Sequence, residues 1–430
     1  MPKAGKKKSS WRDLSWISTL YFAQGIPYIA VMTISVILYK KMGINNTDIA
    51  FYTSWLYLPW VIKPIWSPLV DILKTKRYWI LTMQLLIGAG LAGVGLMLPL
   101  PDFFRWSLVF FWLLAFSSAT HDIAADGFYM LALDEVNQAK YVGIRSTFYR
   151  AATIFGQGIL IIITGLLEKA TGNIPYAWSI TFFILAGLFV LFFFYHRVIL
   201  PKPEKSDLTN APTYSSVMKG FWETFRSFFM KKQIVVAILF MLFFRLPEAL
   251  VVKLLNPFLL DPVEVGGLGL STTQVGLVYG TYGILGLTIG GILGGLVASR
   301  GGLRKWLWPM TLSILIPCSL YLFLAIYQPT SIALISFCVV LDQFGYGFGF
   351  TAYMLYLMYF SDGESKTAHY AICTGFMALG MMLPGMVAGK LQEMVGYEGF
   401  FWAVMICCIP SLIVTALVKI DPAYGTRHKS

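Results

Sequence analysis

Eight ionisable residues, Lys63, Asp122, Asp126, Arg150, Arg245, Glu248, Lys253 and Asp342, lie in stretches that are otherwise apolar. Such groups are expensive in a low-dielectric setting, and two kinds of chemistry can use them. A carboxylate beside another carboxylate or an arginine can take up and release a proton, and a lone cation can hold an anionic ligand. The run SSATHDIAADGFYML, residues 117–131, sets Asp122 and Asp126 four apart on one helix face. There the ionisation of both is unfavourable, so one of them can hold a proton at neutral pH. His121 points about 100° away on the same helix, which suits a packed or interfacial imidazole better than a relay.

Arg150, in FYRAATIFGQG, falls at the depth of Asp122: about 7.5 Å from the membrane midplane against about 6 Å, with Asp126 at about 12 Å. An ion pair between Asp122 and Arg150 would lower the cost of burying both, as a structural clamp or as part of proton coupling. A second cluster, FFRLPEALVVKLLNPFLLD, holds Arg245 and Glu248 three apart around Pro247, with Lys253 further along. The proline frees backbone groups at a depth where interrupted helices line substrate sites, and Lys253 can attract an anion. In YFAQGIPY, Gln24 and Tyr28 form a polar, kinkable segment, and Trp55, Tyr57 and Trp60 offer aromatic faces for a sugar ring or a nucleobase.

Enzyme chemistry is poorly served. Histidines 121, 196, 369 and 428 are scattered, and Cys318, Cys338, Cys373, Cys407 and Cys408 sit in apolar runs without metal or disulfide spacing. No catalytic residue, metal site or cofactor is expected.

The elements that position these residues follow from composition. The 430 residues are 57% hydrophobic and only 13% charged, with a mean hydropathy of +0.69, which marks an integral membrane protein. Taking about 20 apolar residues per crossing, twelve spans lie near 16–40, 49–70, 78–100, 105–131, 143–167, 176–196, 233–259, 272–298, 305–327, 331–359, 367–391 and 398–419. The polar segment 197–232 separates an N-terminal half, 1–196, from a C-terminal half, 233–430. The N-terminus MPKAGKKKSSWRDL is basic and precedes a long apolar segment without a cleavage site, so the first span is expected to be retained.

Of the 33 Lys and Arg residues, 24 fall in segments that are inside when the N-terminus is inside, five in outer loops and four within spans. That bias predicts cytoplasmic termini. It also accounts for the net charge of +12 without a nucleic-acid partner, because the basic residues are dispersed between apolar blocks. In the central segment, Met218, Phe221, Trp222, Phe225, Phe228 and Phe229 form one face of a helix expected to lie in the bilayer surface and to link the halves.

The halves resemble each other. At an offset of 220, Asp342, Gly347 and Phe348 answer Asp122, Gly127 and Phe128; at 224, Gly380 and Gly389 answer Gly156 and Gly165. Internal repeats of this kind characterise secondary transporters.

ATHDIAADG with the later FYRAATIFGQG resembles the AmpG-type muropeptide permeases of the major facilitator superfamily. KPIWSPLVD, FRLPEALVVKLLNPFLLD, FGYGFGFTAY and LPGMVAGKLQEMVGY extend the likeness over most of the chain. His121 stands where that family has glutamine, and Ser67 where the superfamily's loop motif has its first glycine. DIAADGFYMLAL followed by VGIRST resembles the acetyl-coenzyme A transporters about as well, but their long lumenal loops are missing.

The resemblance implies an all-α major facilitator fold, twelve helices in two six-helix halves. It further implies a symporter that imports anhydromuropeptides, N-acetylmuramic acid or related amino sugars with protons across a bacterial inner membrane. By position, Asp122 and Asp126 match the family's acidic pair, Arg150 its span-five arginine and Glu248 its span-seven carboxylate. Residues and resemblance together give the expected sites: Asp122, Asp126, Glu248 and Asp342 for proton coupling, and Gln24, Tyr28, Trp55, Arg150, Arg245 and Lys253 for substrate. The chain is expected to act as a monomer in the lipid bilayer. The alternative is a carrier of another organic anion, such as acetyl-coenzyme A or a siderophore.

Overall fold

The structure, a computed structural model, describes residues 11–133, 135–202, 214–363, 366–422 and 424. Lys3, Lys6, Lys7, Lys8, Lys205, Arg427, Lys429 and the side chains of Met218 and Phe221 lie outside what it describes. Among the described residues there is no strand. In hydrocarbon every backbone group must find a protein partner, and an apolar run of this length satisfies its own by forming a helix.

Among the described residues nine helical stretches are long and apolar enough to cross a membrane. Two of them, Thr272–Tyr327 and Ala368–Leu417, are each two spans joined by a reversal at Gly302 and at Gly396. Both glycines have φ of 72°, a left-handed conformation that a side chain disfavours. Asn46–Trp55 and Leu58–Leu73, helices of 10 and 16 residues separated by a break at Leu56 and Tyr57, together make one more crossing. The expected twelve spans are all present. Trp11 marks the near face, where span one begins, and Lys41 reaches the far face.

Three spans widen into a π-type turn: Ala30–Ile34 in span one, Ile154–Ile159 in span five and Gly276–Gly283 in span eight. The latter two cross where the halves meet. A methyl group on Gly158 would stand 2.9 Å from the Gly280 carbonyl oxygen, so this crossing depends on the bare backbone of both glycines. Span seven breaks at Arg245, one residue before the Leu246–Leu260 helix.

The internal repeat has a spatial counterpart. Gly156 packs on Ile29 of span one, and Gly380 on the Met241 and Leu242 backbone of span seven. Gly165 meets Thr273 at the start of span eight, and Gly389 meets Asn46 and Thr47 at the start of span two. Equivalent glycines thus admit equivalent neighbours in the two halves.

The linker helix, Tyr214–Phe229, leaves Trp222 60% exposed but buries Phe228 completely against Phe360, His369 and Phe376. Lys231 then donates to the carbonyls of Phe360 and Asp362 at 2.6 and 2.7 Å. The expected surface helix is therefore anchored to the C-terminal half at its end, because Phe228 finds an aromatic pocket there.

Candidate substrate and coupling site

Asp122 lies on span four, Phe103–Ala132, and faces the second helix of span two. The Trp60 indole donates to its Oδ2 at 3.1 Å, and Lys63 Nζ stands 3.8 Å from the same oxygen. The Gln24 amide lies within reach of this carboxylate, and Tyr28 meets Trp60 edge to face at 5.2 Å. Four expected or candidate residues from spans one, two and four thus converge: Gln24, Tyr28, Lys63 and Asp122. The contact at 3.8 Å is loose, so protonation of Asp122 would release Lys63 at little structural cost.

Arg150 does not pair with Asp122. It turns toward the other half, where its Nη1 lies 3.5 Å from the Thr288 hydroxyl and its Nη2 borders Gly291. Equal depth does not fix rotation about a helix axis, and here the two side chains leave their helices in different directions.

In the C-terminal half, Arg245 donates to Glu248 at 3.0 Å and to the Tyr346 hydroxyl at 2.5 Å. Its guanidinium also lies over the rings of Phe350, Tyr346 and Tyr353 at 4.8, 5.2 and 5.8 Å. Both partners are buried, so breaking this pair would leave an uncompensated charge. Lys253 differs. It is 4% exposed, it donates to the Thr53 hydroxyl at 2.9 Å, and its ammonium lies 5.6 Å from the Tyr57 ring. Those partners are neutral, and Gly385 opposite leaves room for the lysine stem. Asp342 is likewise held by neutral donors, Tyr321 at 2.8 Å and Gln343 at 3.1 Å.

Two expected residues lie apart from this centre. Asp126 pairs with Arg145 at 2.8 Å and accepts from Tyr21 at 3.2 Å, while Arg145 stacks on Tyr21 at 4.4 Å. Trp55 is half-buried against the apolar core, and the neighbouring aromatics that reach the polar centre are Tyr57 and Trp60. His121 packs in a buried polar row. Gln84 Nε2 lies 3.3 Å from His121 Nε2 and 2.8 Å from His196 Nδ1, and His196 Nε2 lies 3.0 Å from the Thr19 hydroxyl. Two histidines far apart in sequence meet because spans four and six both pack on span three.

Sequence reasoning missed the far-face latch between the halves. Asp261 takes Lys40 at 2.6 Å, the Tyr397 hydroxyl at 2.6 Å and the Asn46 amide at 3.4 Å. Asn46 also reaches Gln392 at 2.7 Å, and Thr47 donates to Glu393 at 2.6 Å. On the other side Glu168 accepts from Thr272 at 2.7 Å, with Lys41 at 3.5 Å. The residues flank spans and read singly as interfacial polar groups. Their one sequence-level signal is acidic Asp261 and Glu168 on a face with few cations.

Twelve spans in two repeated halves, latched at one face over a buried charged centre, define a membrane transporter. The chain belongs to the Major Facilitator Superfamily, whose family model matches residues 17–359 and 248–430. It is 26% identical over 415 residues to a protein named putative transporter AmpG 4 of Rickettsia conorii, covering 93% of this chain and 94% of that one. With the anhydromuropeptide permease of Escherichia coli K12 it shares 25% identity over 410 residues, 93% of this chain and 78% of the other. Among solved structures it resembles a bacterial homologue of the human lysosomal transporter Spinster in an inward-facing, unoccupied conformation. The TM-score is 0.69 at 15% identity, over 95% and 96% of the two chains. The nucleoside transporter NupG gives a TM-score of 0.65 at 13% identity, over 94% and 97%. These structural likenesses concern the fold.

Proposed function

We propose that the protein is a proton-coupled symporter that imports muropeptides or related cell-wall amino sugars, anhydromuropeptides and N-acetylmuramic acid among them, across a bacterial inner membrane. The observation that carries this reading is Lys253: a buried ammonium with neutral partners, beside aromatic side chains. A buried cation without an anion is unfavourable, and a substrate carboxylate would relieve it. Tyr28, Tyr57 and Trp60 supply faces for a sugar ring. The near-full-length likeness to the anhydromuropeptide permease supports the substrate class.

In this scheme both termini are cytoplasmic, and the far-face latch makes the described state inward-facing. The halves 1–196 and 233–430 rock about the site, with 197–232 as their link. Asp122 exchanges the proton: when protonated it frees Lys63, and when ionised it recaptures it. Glu248 and Asp342 keep the C-terminal side of the pathway polar, and Arg150 contacts the facing half through Thr288.

The test is uptake into proteoliposomes with an imposed pH gradient, inside alkaline. Labelled N-acetylmuramic acid and an anhydromuropeptide should accumulate, and acetyl-coenzyme A should not. Uphill uptake of the coenzyme A ester alone would replace this substrate assignment. Binding without accumulation or counterflow would reject transport of these compounds.

A further inference from the structure

A second charged feature lies on the near face, away from the central site. Span one begins there, span three begins at Lys76, and span six, Ile174–Ile199, ends. Between them is a surface cavity of about 680 Å³ lined by Arg12, Arg77, Arg197 and Lys202, with Leu81 and Val198 on its walls. Among the described residues no carboxylate lines it. Arg12 donates to the carbonyls of Ile199 and Val198 at 3.3 and 3.4 Å, and Arg77 to that of Arg197. These bonds cap the end of span six, and the Arg77 guanidinium, with five N–H donors, has more than that one bond uses. Arg77 Nε is buried and has no hydrogen-bond partner among the described residues.

The like charges of Arg77, Arg197 and Lys202 around one cavity repel one another, and an anion with several acceptor oxygens would relieve both that repulsion and the orphaned Arg77 donor. The surroundings say which anion. Val198 is 77% exposed and Trp11, next to Arg12, is 78% exposed, as side chains are where a helix end meets lipid. Basic pockets between span ends bind phospholipid headgroups. We propose that this cavity binds the phosphodiester headgroup of an anionic diacyl phospholipid, with the acyl chains leaving along Leu81 and Val198.

The full chain in a neutral detergent is titrated with short-chain phosphatidylglycerol, phosphatidylcholine of the same chain length, and inorganic phosphate, with the melting temperature as readout. Phosphatidylglycerol should raise it saturably; the other two should not. Arg197→Gln with Lys202→Gln, two exposed positions whose side chains carry no capping bond described above, should weaken the apparent affinity about 30-fold, and Lys202→Gln alone about fivefold. Arg300→Gln with Arg304→Gln, which removes the same charge from the other half, should leave it unchanged. Equal weakening by both double variants would reduce the effect to overall charge and overturn the site. A saturable response to inorganic phosphate that is lost in the first double variant would make this a free-phosphate site instead. No response to phosphatidylglycerol in the wild type would remove it altogether.

Discussion

Removing one charge at the far face should open that face. In Asp261→Asn the amide keeps the shape of the carboxylate but loses its charge, so Lys40 at 2.6 Å and the Tyr397 hydroxyl at 2.6 Å lose an ionic acceptor. Truncating one member of a hydrogen-bonded charge pair costs about 2–5 kcal/mol when it is buried. The pair's side chains are 15% and 12% exposed, and Lys40 keeps its bond to the Asn46 side-chain Oδ1 at 2.8 Å, so the low end applies. A loss of about 2–3 kcal/mol lowers the ratio of far-face-closed to far-face-open molecules about 30- to 150-fold.

Spin labels at Leu100 and Tyr327, at far-face ends of opposite halves, report that ratio by pulsed electron resonance in a background with the native cysteines replaced. The variant should shift weight to longer separations. Lys40→Gln should do the same less strongly, and the double variant should fall short of additivity, because both act on one contact. An unchanged distance distribution in a variant that melts like the wild type would refute the latch, and so would strict additivity.

Lys253→Met should leave the melting temperature equal or higher, because an apolar chain of similar length replaces a buried, uncompensated charge. It should weaken calorimetric binding of N-acetylmuramic acid at least about tenfold. Asp122→Asn should abolish accumulation driven by a pH gradient while counterflow persists; full gradient-driven uptake would exclude Asp122 as the coupling group. Arg150→Ala should insert and fold, as judged by size-exclusion profile and melting, because its described bond is to a hydroxyl at 3.5 Å and not to a carboxylate. Its transport rate should fall, and a failure to fold would restore a structural role.

The spans were legible because bilayer thickness imposes a length on apolar runs, and each expected range lies close to an observed helix. The repeat was legible through its glycines: Gly165 and Gly389 must stay bare where a facing helix begins. Pairings were not legible. Depth is one coordinate and rotation about the helix axis is another, so Asp122 and Arg150 at one depth meet different neighbours. The row from Thr19 through His196 and Gln84 to His121 needs span three to be placed between spans four and six before it exists. The latch was hidden for a related reason. Lys40 and Asp261 lie in opposite halves of the sequence and meet only once those halves face each other.

Asp122 and Asp126 share a helix face, which suggests a pair that shares one proton, but their partners divide them. Asp126 has its own guanidinium, Arg145 at 2.8 Å, and a tyrosine hydroxyl at 3.2 Å. With side chains 33% and 37% exposed, the Asp126 pair contributes about 1 kcal/mol to holding spans four and five together, and solvent screens the rest. Asp126→Asn should therefore lower the melting temperature slightly and leave gradient-driven uptake intact, the reverse of Asp122→Asn. If Asp126→Asn instead uncouples transport while stability is unchanged, the two carboxylates work as one titrating unit despite their separate partners, and the loose contact of Lys63 with Asp122 does not by itself account for coupling.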